Sequence, residues 1–194
     1  MILNLTRRAV LGLGVAFWLT PVAARSASPH ESYVKSLLEE LIALAKYDEA
    51  EQRNRLKKVL HRRADVRAIS LFALGTWRKK LPKNLSGDYI DLVVNYTANS
   101  FISYVSQFEG ADVAIERSSS QGGFTTVDAK LTYAGGDASQ IRFRFADAGN
   151  PRVKDVNVRG IWLSLQLRER FSGLLDRNNG DIAELMEFLR SNSA

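Results

Sequence analysis

The sequence predicts an α+β fold, a curved antiparallel sheet of about four strands covered by helices. Three observations predict it. Apolar residues recur at helical spacing up to Phe108 and alternate with polar ones from Gly110. They return to helical spacing after Gly160. The alternating runs are separated by Gly-rich and Asn-Pro turn signals, which make consecutive strands antiparallel neighbours. With 194 residues and a hydrophobic fraction of 45%, the chain suits one domain with a real core, and nine Phe and 25% charged residues argue against disorder. No internal repeat or low-complexity segment is visible.

The first residues have another purpose. Thr6-Arg7-Arg8 precedes an apolar stretch, and small residues follow from Ala23 to Ala27. Residues 1–27 therefore read as a cleavable signal peptide, twin-arginine-like although the usual Phe after the arginine pair is absent. As a membrane anchor the run Leu11–Leu19, closed by Pro21, is too short for the roughly 20 residues a span needs. Residues 28–194 then form the single mature domain, and the chain is expected in the periplasm. Loss of Arg7 and Arg8 lowers the formal charge from +6 to +4, and loss of Arg25 lowers it to +3. An exported protein meets no cytoplasmic nucleic acid, so the pI near 9.7 does not point to such a partner.

Within the mature chain, Val34, Leu37, Leu38, Leu41, Ile42 and Ala45 mark a first helix, and Glu49–Leu60 a second with Leu56, Val59 and Leu60 inward. Asp65 can cap a short helix through Leu74, ended by Gly75. Trp77 follows, and Leu81-Pro82 breaks the chain. Asn84 or Ser86 can cap a long helix from about Gly87 to Phe108, with Ile90, Val94, Phe101, Tyr104 and Val105 along one side and Val93 beside them.

The strands follow. Val113 and Ile115 lead into a hairpin loop spanning Ser118–Gly123. Val127, Ala129, Leu131 and Tyr133 share one face of the next strand, Ile141, Phe143 and Phe145 one face of a third, and Val156 and Val158 one of a fourth. Gly160 releases a helix with Ile161, Leu165, Phe171 and Leu174, and after Asn178-Asn179-Gly180 a last helix carries Ile182, Leu185, Met186 and Leu189. A strongly curved sheet roofed by helices is a cone, and an apolar lining larger than its side chains can fill encloses a cavity.

The chemistry-bearing inventory is sparse. No Cys is present, which removes disulfides, thiolate nucleophiles and Cys-based metal sites. His61 lies in a basic segment and reads as a surface residue; His30 lies near the processed end and reads as mobile. No metal site or cofactor is expected. Arg53, Arg55, Lys57, Lys58, Arg62, Arg63 and Arg67 face only Asp65 in sequence, a solvated helix face or a docking surface for anionic lipid or an acidic partner. Trp77 either closes the core or lines the mouth of a pocket.

The chain resembles the MlaC family of periplasmic phospholipid-binding proteins from about residue 34 to 191. The resemblance is carried by Val153–Ser164, by Phe171-Ser-Gly-Leu-Leu, by Gly180-Asp-Ile-Ala-Glu-Leu, and by Val66–Arg78 leading into Leu85-Ser86. It implies a cone akin to nuclear transport factor two, with an apolar cavity for acyl chains. It also implies no enzymatic activity, and a carrier that ferries phospholipid between an outer-membrane lipoprotein complex and an inner-membrane ABC transporter complex. Two features depart from the family: Gln166–Phe171 replaces Asn-Tyr-Arg-Ser-Gln-Phe, and the signal is twin-arginine-like. Related branches accompany hopanoid metabolism, which leaves hopanoid or another apolar lipid as alternative cargo.

A carrier needs enclosure, since exposing about thirty methylenes of a diacyl lipid at ~0.8 kcal/mol each costs on the order of 25 kcal/mol. The expected lining comprises Val113, Ile115, Val127, Leu131, Ile141, Phe143, Val156 and Val158 on the strands, opposite the long helix. Val94, Phe101, Tyr104 and Val105 on that helix, with Trp77, Ile161 and Leu165, complete it. Two other classes compete. One is a cone-fold isomerase with Asp128 or Asp155 as base and Tyr96 or Tyr104 as donor; the other is an exported interaction module with a filled core and no ligand, whereas the carrier is expected to be a monomer.

Overall fold

The computed structural model describes residues 27–146 and 151–193. Residues 1–26 of the expected signal, and most of the Gly149-Asn150-Pro151 turn, lie outside the described residues.

The chain runs as helices, a meander, then helices. The α-helices are α1 (Pro29–Ile42), α2 (Glu49–Arg63), α3 (Val66–Ala73), α4 (Ser86–Val105), α5 (Leu163–Arg177) and α6 (Ile182–Ser191). The strands are β1 (Asp112–Gln121), β2 (Phe124–Thr132), β3 (Ala138–Ala146), β4 (Val153–Val158) and β5 (Ile161–Trp162). They pair in sequence order, each antiparallel to the next. The sheet thus has five strands rather than four. Ile161 and Trp162, expected in a helix, pair back onto Val158 and Asn157 through a two-residue turn at Arg159-Gly160 before α5 begins.

Local chemistry explains most boundaries. Ser28 and Glu31 form a reciprocal capping box at the start of α1. Asp65 caps α3 by accepting from the Ala68 amide at 3.0 Å, as its position predicts. Neither Asn84 nor Ser86 caps α4; a 3-10 turn at Lys83–Leu85 feeds directly into its first residue, so the entry is made by backbone geometry. The hairpin is also tighter than expected. Ser118–Gln121 belong to β1, and the loop is only Gly122-Gly123, both with positive φ, as a two-residue turn between twisted strands requires.

Two register shifts, between Ile115 and Arg117 in β1 and beside Arg144 and Phe145 at the β3–β4 pairing, bend the sheet. Its apolar face packs under α1: Val34, Leu37 and Leu38 meet Val127, Ala129, Phe143, Phe145 and Val153. His30, expected to be mobile, is half-buried with its ring 5.0 Å from Phe145, because the capping box starts α1 early enough to seat it. The helix over the strands is therefore α1 and not the long α4, which packs against α2, α3 and α6.

The physical reason is that α4 carries two buried stripes. Tyr89, Val93 and Tyr96 serve a cluster shared with α3, α5 and α6, while Ala98, Ile102 and Val105 serve another shared with α2 and the 3-10 turn at Ala43–Lys46. A helix dressed on two sides by other helices has no free face for the sheet.

Candidate functional site

Register places the strand residues of the expected lining on one face. Val113 faces Leu131, Val127 faces Phe143, Phe143 faces Val156 and Ile141 faces Val158. Val127, Leu131 and Phe143 are buried; Val113, Ile115, Ile141, Val156 and Val158 are half-buried.

The residues expected opposite them fall in different places. Val94 and Val105 are buried and Phe101 is half-buried, whereas Tyr104 is 55% exposed, because the buried side of α4 is phased on Ala98 and Ile102. Ile161 and Leu165, each 51% exposed, lie on the outside of the β5–α5 corner. Trp77 packs on the helical cluster; its indole Nε1 donates to Asp176 at 2.7 Å and Lys80 lies 4.6 Å from its ring centre. Sequence reasoning did not place Tyr89, Tyr96, Ala98 and Ile102 on the buried side of α4. The weak amphipathic contrast of α4, apolar on two sides, hides which residues turn inward.

Buried apolar residues gather in three clusters among the described residues, two of them joined through Leu41. Val94, Phe108 and Leu131 are buried but belong to none of them. Phe108 continues an aromatic column, with ring centres 5.4 Å from Phe101 and 6.3 Å from Tyr133, where the rings stack. That column ends at an open cavity of about 510 Å³ between the end of α4 and the β2–β3 turn. A second cavity, about 400 Å³, lies between the start of α1 and β1, edged by Glu31, Lys35, Val113 and Ile115.

The polar groups near the sheet are committed to structure. On the outer face Arg117 (2.8 Å) and Arg142 (2.5 Å) donate to Asp128. The Arg142 hydrogen bond, outweighing burial and aided by Arg117, holds the Asp128 carboxyl below the usual range. Asp155 is buried and accepts from the Val156 and Ser164 amides and the Ser164 hydroxyl. A carboxylate pinned by two arginines, and one already saturated by neighbouring donors, are poorly suited to the general-base role considered for them. The tyrosines weighed as donors are equally dispersed: Tyr96 packs edge-on to Phe171 and Tyr104 points to solvent. No group of three or more His, Asp or Glu among the described residues could hold a metal ion. No described helix is long and apolar enough to cross a membrane.

The basic segment is less free than its sequence suggests. Glu40, on α1, pairs with both Arg62 and Arg63, and Glu51 takes Arg55 at 2.7 Å. Arg63 also lies over the Tyr33 ring, whose hydroxyl donates to the Arg63 carbonyl. Lys57, Lys58 and Arg67 make no ion pair among the described residues.

The fold is a meandering, bulged sheet roofed by helices, and these candidates assemble no catalytic group in it. The family model for the MlaC protein matches residues 32–191, so the chain belongs to the MlaC family. Among solved structures, the chain is similar to a phospholipid-binding protein from Ralstonia solanacearum determined in complex with a phospholipid. The two are 16% identical with a TM-score of 0.72, and the match covers 84% of this chain and 95% of that one. At that identity the likeness shows a shared fold. No curated protein matches the chain significantly.

Proposed function

We propose that this protein is a periplasmic lipid carrier that encloses phospholipid acyl chains between the apolar face of its sheet and its helices. The observation that carries the reading is the inward face of the sheet, on which apolar Val113, Ile115, Ile141, Val156 and Val158 are only half-buried by the helices above them. An apolar face covered only in part is where acyl chains can be sheltered from water. Membership of the MlaC family and a fold shared with a phospholipid-bound protein support the same reading. The expected lining on β1–β4 forms one wall of the acyl-chain space, and α1 lies across from it. Shuttling between an outer-membrane lipoprotein complex and an inner-membrane ABC transporter complex is the corresponding role, with export through the N-terminal leader.

Native mass spectrometry of the purified mature protein tests the proposal. Phospholipid masses on the chain, or lipid acquired from vesicles, are the expected result. A bare polypeptide that takes up no lipid overturns it, and a hopanoid mass in place of phospholipid changes the cargo but not the role.

A further inference from the structure

We propose that the 510 Å³ cavity beside the β2–β3 turn is a headgroup site for a zwitterionic phospholipid bearing a primary amine. Arg159 would hold the phosphodiester, and Glu109 and Asp137 the ammonium. This rests on the carrier reading and adds which headgroup is held, and where.

The first observation is a residue out of place. Arg159 and Gly160 form the two-residue turn between β4 and β5, with φ of 51° and 89°. Such turns favour Asn-Gly, because a side chain with a Cβ is strained at positive φ and Asn tolerates it best. Arginine is a poor choice for the turn itself, which makes its guanidinium the part to explain.

The second observation is where that guanidinium goes. Its Nε donates to the hydroxyl of buried Ser139 at 3.2 Å, and the Tyr133 hydroxyl donates to the same oxygen at 3.0 Å. The side chain is thereby aimed along the cavity wall, and Arg159 makes no ion pair among the described residues. A guanidinium fixed through Nε presents its terminal nitrogens as a fork, the geometry that suits a phosphodiester.

The third observation is the charge pattern. Glu109 and Asp137 line the same cavity and make no ion pair among the described residues. One cation with two carboxylates opposes a purely anionic headgroup and complements one that carries both a phosphate and an amine. The cavity is of ordinary ligand size. Its apolar end is the Tyr133 ring, stacked on buried Phe108, so the acyl chains of a headgroup seated here would run beside that pair along the inward face of β2.

Purified protein is equilibrated with vesicles of equimolar phosphatidylethanolamine and phosphatidylglycerol, re-isolated, and its bound lipid quantified by mass spectrometry. Wild type is expected to be enriched in phosphatidylethanolamine. Arg159→Asn, which suits the turn better, is expected to keep or raise the thermal midpoint while weakening lipid retention roughly tenfold, the loss of about one charge-assisted hydrogen bond. Glu109→Gln with Asp137→Asn is expected to abolish the preference while lipid is still bound. Lipid taken up without preference overturns the headgroup assignment and leaves the carrier reading standing; no lipid taken up by wild type overturns both. Arg159→Asn that lowers the midpoint but retains lipid like wild type makes Arg159 a structural residue and overturns the proposal.

Discussion

Ser164 donates both its main-chain amide, at 3.1 Å, and its hydroxyl, at 2.5 Å, to the buried carboxylate of Asp155. The pair staples the last long strand to the start of α5 across the β5 hairpin. Asp155→Ala leaves those donors unpaired in the interior, and we expect a loss of about 2–3 kcal/mol in urea unfolding. Ser164→Ala removes one of the two bonds and should cost less. Lipid uptake by whatever fraction folds should be unchanged. A stable Asp155→Ala protein that has lost only lipid uptake would reassign Asp155 to the ligand.

Gly180 and Trp77 are matched in shape. A Cβ added at Gly180 would lie 2.2 Å from the Trp77 ring, and the residue has φ of 79°. Steric overlap and backbone strain act together, so Gly180→Ala should destabilise by about 3 kcal/mol or more. A methyl group at Gly122 meets open space, and Gly122→Asn should shift the thermal midpoint little.

Acid should loosen the sheet through Asp128. Its carboxyl is held below the usual range by Arg142 and Arg117, so its charged form is stabilised in the folded state. A carboxyl depressed on folding contributes stability above its unfolded pKa, near 4, and that contribution disappears as pH falls through the lower folded value. Asp65 acts in the same sense: burial raises its pKa, but hydrogen bonds from Lys154 and the Ala68 amide outweigh it. Unfolding free energy should therefore decline below about pH 4, and Asp128→Asn should flatten that decline. The same slope in both proteins would place the acid sensitivity elsewhere. Because both arginines are well exposed, the effect should also shrink with added salt.

If acyl chains lie against the inward face of the sheet, a bulky residue at Leu131 should exclude them. Leu131→Trp is expected to lower bound phospholipid several-fold while far-ultraviolet circular dichroism stays unchanged. Ile161→Trp and Leu165→Trp, at exposed positions, should bind lipid like wild type. Equal lipid content in all three would remove the sheet face from the binding wall.

What was legible in the sequence was periodic. Alternation on four strands gave the correct inward face, since a strand's side chains have a period of two and one slip inverts them all. The Asp65 cap, a local signal, was also readable. The phase of α4 was not, because apolar residues on two sides leave no single stripe to find. The ion pairs that quiet the basic segment were equally hidden. Glu40 is remote from Arg62 and Arg63 in sequence and meets them only once α1 crosses α2. The β4–β5 hairpin carried a readable sign, a Gly two residues after Val158 between apolar runs, but arginine in the usual asparagine place masks it.

The placement of α1 on the sheet has a consequence for the order of folding. This helix is synthesised first, yet the surface it seals is built by strands that begin at residue 112 and end at residue 158. Its docking on strands so far along the chain is a non-local event, of the kind that slows folding. Until then the newly paired strands present Val127, Phe143 and Phe145 uncovered, an adhesive surface in a crowded compartment. The interval between hairpin formation and α1 docking is accordingly the stage of the protein's life most exposed to aggregation.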